Sequence, residues 1–375
     1  MIPESVFDAT IRRFLQPIEE MLNDGSVTEI MINGAYEIFV ERKGRLARVE
    51  KTFDGIESLL SALRVIAQYV GRPFDEEHPL LEARLPDGSR VAALLPPVAP
   101  TGPCVAIRRF SKELLTIERL VQFGALTTDA VDMLRILVEA KNNIVVSGGT
   151  GSGKTSLLNA LSALIPADER LIVIEDSREL VLQRDHVVAL ESRPPDSRGQ
   201  GQISVRDLFR ASLRMRPDRI VLGEIRSGEA LDLIQAMTSG HGGCLATVHA
   251  SYPKDTLSRL ETLALMGGVE LPLHALRSQL ASAIDIVVQT ARFRDGKRMV
   301  THISEVTGVD PILGYTISDL FATQVAGKDS AGVAVRELIP TGILPSSMPM
   351  LAAQGVTLPH SVVAAAERRA AAARM

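Results

Sequence analysis

Gly148-Gly149-Thr150-Gly151-Ser152-Gly153-Lys154-Thr155 follows directly on the apolar run Asn142-Asn143-Ile144-Val145-Val146-Ser147 and passes into Ser156-Leu157-Leu158-Asn159-Ala160-Leu161. Four residues between two glycines, then Lys and Thr, set between a strand and a helix, form a loop suited to a chain of phosphates. The physical reason is charge and space. Backbone N–H groups at a helix N-terminus can surround a polyanion, provided that no side chains stand in the way. The pattern therefore implies that Gly148 to Gly153 cradle the phosphates of a nucleoside triphosphate, with Ser156 in the first helical turn beside them. Lys154 would place its ammonium on the outer phosphates, and the Thr155 hydroxyl would take one position on Mg²⁺. The competing reading is an ordinary Gly-rich turn.

Around this loop the sequence alternates apolar strands with helical segments. Strands are expected at 144–147, 171–175, 186–190, 220–223, 245–249 and 284–290, a rhythm that predicts a largely parallel, helix-covered sheet. Upstream, residues 1–25 read as an amphipathic helix ending at Asn23-Asp24-Gly25. Residues 26–110 read as a smaller α+β domain, with strands on both sides of a helix over 56–70. Residues 111–127 are expected as a linker, 128–325 as the α/β domain and 326–375 as a partly flexible C-terminal segment. Arg193–Gly201, rich in Pro, Gly and polar residues, is expected as a mobile surface loop.

Composition narrows the function classes. A chain of 375 residues is long enough for two cores. Its net charge of −4 gives no basic field for nucleic acid, so no nucleic-acid partner is expected. Cys104 and Cys244 are far apart and lack metal-ligand or disulfide-framework spacing, which points to a reducing, cytoplasmic setting. There is no apolar run near the roughly 18 residues that a membrane span needs.

Three further segments carry chemistry. Arg219-Ile220-Val221-Leu222-Gly223-Glu224 delivers a carboxylate to the end of a buried strand, making Glu224 the candidate to contact Mg²⁺ through water and polarise the nucleophile. Leu171-Ile172-Val173-Ile174-Glu175-Asp176 ends in two acids, of which the pleat lets one face the nucleotide. Glu175 is expected as the water-activating partner and Asp176 as a cap on the next turn. Gly240-His241-Gly242-Gly243-Cys244-Leu245-Ala246-Thr247-Val248-His249 brackets a strand with two histidines, and His249 stands where a strand end could report on the γ-phosphate. Outside the α/β domain, Arg84, Arg90, Arg108 and Arg109 are candidates to bring positive charge to the phosphates from elsewhere.

Taken together, GGTGSGKT, VIEDSREL, RPDRIVLGEIRSGEALDLIQAM and SGHGGCLATVHA resemble the Walker A, Asp-box, Walker B and His-box motifs of the secretion-ATPase superfamily. More closely, VTEIMINGAYEIFVERKGRL, EARLPDGSRVAALLPP, AIRRF, LSRLETLALMGGVELPLHALRSQLASAIDIVVQTAR and the ending TGILP…GVTLP are similar to the CpaF (TadA) ATPases of tight-adherence pilus assembly. The resemblance implies a RecA-like C-terminal domain, a PAS-like N-terminal domain and a homohexamer with Mg-ATP sites at subunit boundaries. It implies work at the cytoplasmic face of the inner membrane, peripheral to it and through platform proteins, that drives pilus assembly or retraction. Relatives with the same motifs serve conjugation or type IV secretion, and a nucleic-acid motor is the rival of another class. By matching positions, Lys154 and Thr155 are the Walker A ligands, Glu224 the Walker B acid and Glu175 the Asp-box acid. His241 and His249 are then the His-box residues.

Overall fold

The computed structural model describes residues 10–374 apart from 43, 111–114, 197, 329–331 and 333. The chain forms two compact units, Met1–Glu113 with Pro195–Gly201, and Leu114–Pro194 with Gln202–Met375.

The first unit is built on six antiparallel strands in the order β3-β2-β1-β6-β5-β4. These are β1 Val27–Asn33, β2 Glu37–Arg42, β3 Arg45–Val49, β4 Leu80–Arg84, β5 Arg90–Leu94 and β6 Cys104–Arg108. Alternation decides the buried face: Ile30 and Ile32 of β1, Ile38 and Val40 of β2, and Val105 and Ile107 of β6 all enter one core. The helix Ile56–Tyr69 covers it with Leu59, Leu63 and Ile66, spaced for one helical face. The helix expected over 1–25 is interrupted: a 3₁₀ turn Gln16–Ile18 carries Pro17, and a short helix Glu19–Asn23 follows. Proline lacks the N–H that an unbroken helix would need there. Residues 1–9 of that expectation lie outside the described residues.

The second unit carries a nine-stranded sheet in the order β15-β14-β13-β12-β7-β11-β10-β8-β9. Its strands are β7 Ile144–Gly148, β8 Leu171–Glu175, β9 Val187–Glu191, β10 Arg219–Leu222, β11 Leu245–Val248, β12 Ile286–Arg292, β13 Arg298–Asp310, β14 Gly314–Lys328 and β15 Ala334–Pro340. From β12 to β9 neighbours run parallel. Both faces are covered, as the pleat of β7 shows: Ile144 and Val146 join one apolar cluster and Val145 the other.

β13, β14 and β15 extend this sheet in antiparallel fashion. The boundary expected after residue 325 therefore falls inside β14, whose Phe321–Lys328 stretch pairs with β15. The C-terminal segment is also anchored: the helix His360–Ala372 buries Val362 and Ala365, and Val362 belongs to the core of the sheet. The loop expected to be mobile is closed by a bridge between Arg193 and Ile203. Inside it, Asp196 accepts from the backbone N–H groups of Arg198 and Gln200; Ser197 lies outside the described residues.

Candidate nucleotide site

Parallel strands deliver their C-terminal ends to one edge of a sheet, and ligands of open α/β folds bind there. β7 ends in the glycine loop, β8 in Glu175-Asp176, β10 in Gly223-Glu224 and β11 in His249. The loop needs its glycines for two reasons. Gly151 and Gly153 have φ of 68° and 99°, and a Cβ on Gly148 would meet Thr290 Oγ1 at 2.3 Å and Ser152 Oγ at 2.4 Å. The helix Lys154–Ser162 starts with Gly153 as N-cap, so the first-turn N–H groups of Lys154, Thr155 and Ser156 have no partner within the helix. Ser152 contributes backbone only, because its buried hydroxyl lies 2.8 Å from both Gly149 O and Thr290 Oγ1. Thr150 and Gly151 are exposed at the loop's crest.

Lys154 Nζ donates to Gly149 O at 3.1 Å and lies 3.3 Å from both ring nitrogens of His249. His249 Nε2 is in turn 2.7 Å from Glu224 Oε1, and Arg226 Nε donates to Glu224 Oε2 at 2.7 Å. Arg226 continues to Asp176 Oδ2 at 3.0 Å. Burial holds the imidazole below the ordinary histidine value, and the Lys154 charge adds to this; Glu224 opposes both. A neutral ring suits the geometry, with Nε2–H donating to Glu224 and Nδ1 accepting from the ammonium. The result is a row of cation, neutral relay and anion at the strand ends.

The family model for the type II/IV secretion system protein matches residues 13–303. The chain belongs to this secretion-system family. A putative conjugal transfer protein of Mycobacterium tuberculosis is 34% identical over 293 residues, covering 76% of this chain and 83% of the relative. The type IV secretion system protein VirB11 of Bartonella henselae is 33% identical over 329 residues, covering 77% and 91%. In fold, the chain resembles the ATPase DotB of Legionella pneumophila, with a TM-score of 0.54 at 20% identity, covering 78% of this chain and 79% of that one. The pilus retraction motor PilT with bound ADP has a TM-score of 0.54 at 17% identity, covering 92% and 86%. The α/β architecture is thus that of the RecA-like secretion ATPases with an N-terminal domain.

Within this secretion-family chain the two acids of β8 differ from expectation. Glu175 is buried and its Oε1 accepts from the N–H groups of Glu179 at 2.9 Å and Leu180 at 3.0 Å. It is Glu175 that caps the following turn. Asp176, expected in that capping role, is the acid joined through Arg226 to Glu224. Glu175 also packs tightly against the neighbouring strand end: a Cβ on Gly223 would stand 2.8 Å from Glu175 Cγ.

His241 does not belong to the phosphate end. It precedes β11, whereas His249 follows it, so the two stand beyond opposite ends of a four-residue strand about 10 Å long. Cys244, beside it, is a buried thiol pushed up to about 12 by desolvation and bonded to His241 O.

Of the four arginines in the first unit, three share one row. Arg84 faces Arg90 across β4 and β5, and Arg90 faces Arg108 across β5 and β6. Arg109 is different: its guanidinium donates to the backbone carbonyls of Asp24 and Met21, which makes it a staple on the N-terminal helix. The second unit also supplies arginines that sequence reasoning missed. Arg226 reaches Glu224, Arg298 Nε donates to Gly151 O at 2.7 Å, and Arg292 lies against Gly151. A signal existed for Arg226, two residues after the strand-end acid. For Arg292 and Arg298 it is the pairing of β12 with β7 and of β13 with β12 that brings them to the loop.

Among the described residues no group of three or more His, Cys, Asp or Glu side chains forms a metal cluster. Mg²⁺ held beside phosphates takes few protein ligands and keeps several waters. The donors present are the Thr155 hydroxyl in the first helical turn and the Glu224 carboxylate.

Proposed function

We propose that the chain hydrolyses ATP and that the released energy drives a secretion or pilus machine. The observation that carries this reading is the continuous contact from the loop lysine through His249 to Glu224. Lys154 would leave Gly149 O and His249 for the outer phosphates. Glu224, freed in part from His249, would orient the attacking water, and His249 would sense whether the γ-phosphate is present. Mg²⁺ on Thr155, with Glu224 behind a water, would neutralise charge between the β- and γ-phosphates. The row Arg84, Arg90 and Arg108 would add positive charge from another copy in a homohexamer. Specific activity should then rise with protein concentration through the assembly range, followed by light scattering.

For the cargo, the motifs of the first and last thirds favour tight-adherence pilus assembly by a CpaF/TadA-type motor. Relatives named for conjugal transfer and type IV secretion support a conjugation or secretion role as well. In either case the motor would act at the cytoplasmic face of the inner membrane through membrane partners. No helix among the described residues is long and apolar enough to cross a membrane itself. The deciding experiment on the activity is Lys154→Ala, expected to abolish hydrolysis and to weaken nucleotide binding strongly. Turnover near that of the unaltered protein would defeat the proposal.

A further inference from the structure

Beneath the phosphate loop the core stops being apolar. Ser147, Ser152, Gln289 and Thr290 are exposed by no more than 4% each, and they are bonded as one set. Thr290 Oγ1 donates to Ser147 O at 3.0 Å and lies 2.8 Å from Ser152 Oγ. Gln289 Oε1 accepts from Ser147 Oγ, and its Nε2 donates to Ala250 O at 3.2 Å and Ser251 O at 3.1 Å. Thus two consecutive residues in the middle of β12 hold two different segments. Thr290 holds the phosphate loop, and Gln289 holds the chain immediately after His249.

An even strand would send consecutive side chains to opposite faces. β12 keeps that alternation against β7: Gln289, paired with Ser147, meets its hydroxyl, and Thr290, paired with Gly148, meets Ser152 and the Ser147 carbonyl. Apolar residues would fill the same space without the desolvation that four polar groups suffer, so the bonds made here must repay it. What they hold is the mutual position of Lys154 and His249, 95 residues apart in sequence.

We propose that Gln289 and Thr290 are positioning residues that couple the phosphate loop to the His249 segment, Thr290 setting nucleotide affinity and Gln289 setting turnover. This rests on the ATPase reading above. The test compares Gln289→Leu, Gln289→Glu, Thr290→Val and Thr290→Ser in the full chain, each first matched to the unaltered protein by thermal melting. Steady-state MgATP hydrolysis, ADP affinity by calorimetry and ADP-induced hydrogen-exchange protection are then measured.

Gln289→Leu should lower kcat by about tenfold with ADP affinity within about twofold. Its exchange protection by ADP should persist at 148–156 and vanish at 249–252. Gln289→Glu keeps the acceptor for Ser147 but sets a carboxylate against two carbonyls, so it should behave like Leu. Thr290→Val should weaken ADP by about fivefold or more, and Thr290→Ser, which keeps the hydroxyl, should restore it. Equal losses of kcat and affinity in Gln289→Leu, or protection of 249–252 that survives the substitution, overturn the coupling. If the unaltered protein binds ADP but does not turn over ATP, the ATPase reading fails alone and the exchange data still decide the coupling. Absence of ADP binding by the unaltered protein overturns both.

Discussion

His249 and His241 stand beyond opposite ends of the four-residue strand β11, and arginines and glutamates gather at both ends. At the His241 end, Arg219 has no exposed side-chain surface and is closed on all sides: it pairs with Glu169 and donates to Gly243 O at 3.3 Å and Val138 O at 2.8 Å. At the His249 end, Arg226 and His249 keep 54% and 46% of their side chains exposed around Glu224. The same residue types thus make a scaffold where backbone carbonyls saturate the cation, and a pair of ion contacts that stay open to solvent. An ion pair can be surrendered to a phosphate only if its partners are accessible; a sealed pair can only hold the sheet together.

The largest effect should come from the sealed end. Glu169→Ala leaves the Arg219 cation buried without its counter-ion, at a cost of about 3–5 kcal/mol, seen as a lower midpoint in urea. Turnover per folded molecule should stay unchanged. A loss below about 1 kcal/mol would erase the distinction between the ends. At the open end the order reverses. Glu224→Gln should leave stability within about 1 kcal/mol and slow hydrolysis at least about 10²-fold, with ATP still bound. Parallel losses of binding and rate would make Glu224 structural.

The contrast also explains what could be read from the sequence. Strand-end positions were legible because parallel strands must point their last residues to one edge, so the glycine loop, Glu224 and His249 follow from pattern alone. The choice between Glu175 and Asp176 was not, since it depends on two backbone N–H groups in an irregular turn. Arg109 gave no sign of stapling carbonyls 85 and 88 residues away. β13 and β14 hid for another reason: bulges at Ile303/Ser304 and Val306/Gly308 break the period of two by which a strand is recognised. Those strands in turn carry the C-terminal residues that the sequence suggested were a loose segment.

A smaller effect probes His249 itself. Because burial, with Lys154, holds the ring below its ordinary value, it is neutral at pH 7; Glu224 opposes this, while Arg226 and Arg259 add to it. As pH falls from about 6.5, an unfolded ring takes up its proton before the folded one does. Stability therefore declines toward acid through the folded value. Protonation also tightens the hold of the ring on Glu224, which must be freed in part to orient water, so turnover should show an acid limb with its midpoint below about 6.5. His249→Gln should lower turnover about tenfold and abolish that limb. A limb that persists unchanged in the variant would assign the titration to another group.

The smallest effect is expected at the other histidine. His241 Nδ1 is buried with no hydrogen-bond partner among the described residues, so its imidazole makes no bond there for a substitution to break. Its backbone carbonyl, which accepts from Cys244 Sγ at 3.1 Å, survives any change of side chain. His241→Gln should therefore change both turnover and ADP affinity by less than about twofold, the range of substitutions that touch no special feature. The comparison is sharpest here, because motif matching treats the two histidines alike. A loss of more than about tenfold in a variant that melts like the unaltered protein would mean that His241 serves the nucleotide of a second copy. The ends of β11 would then be two halves of different sites, and the sealed Arg219 pair would be holding one of them in place.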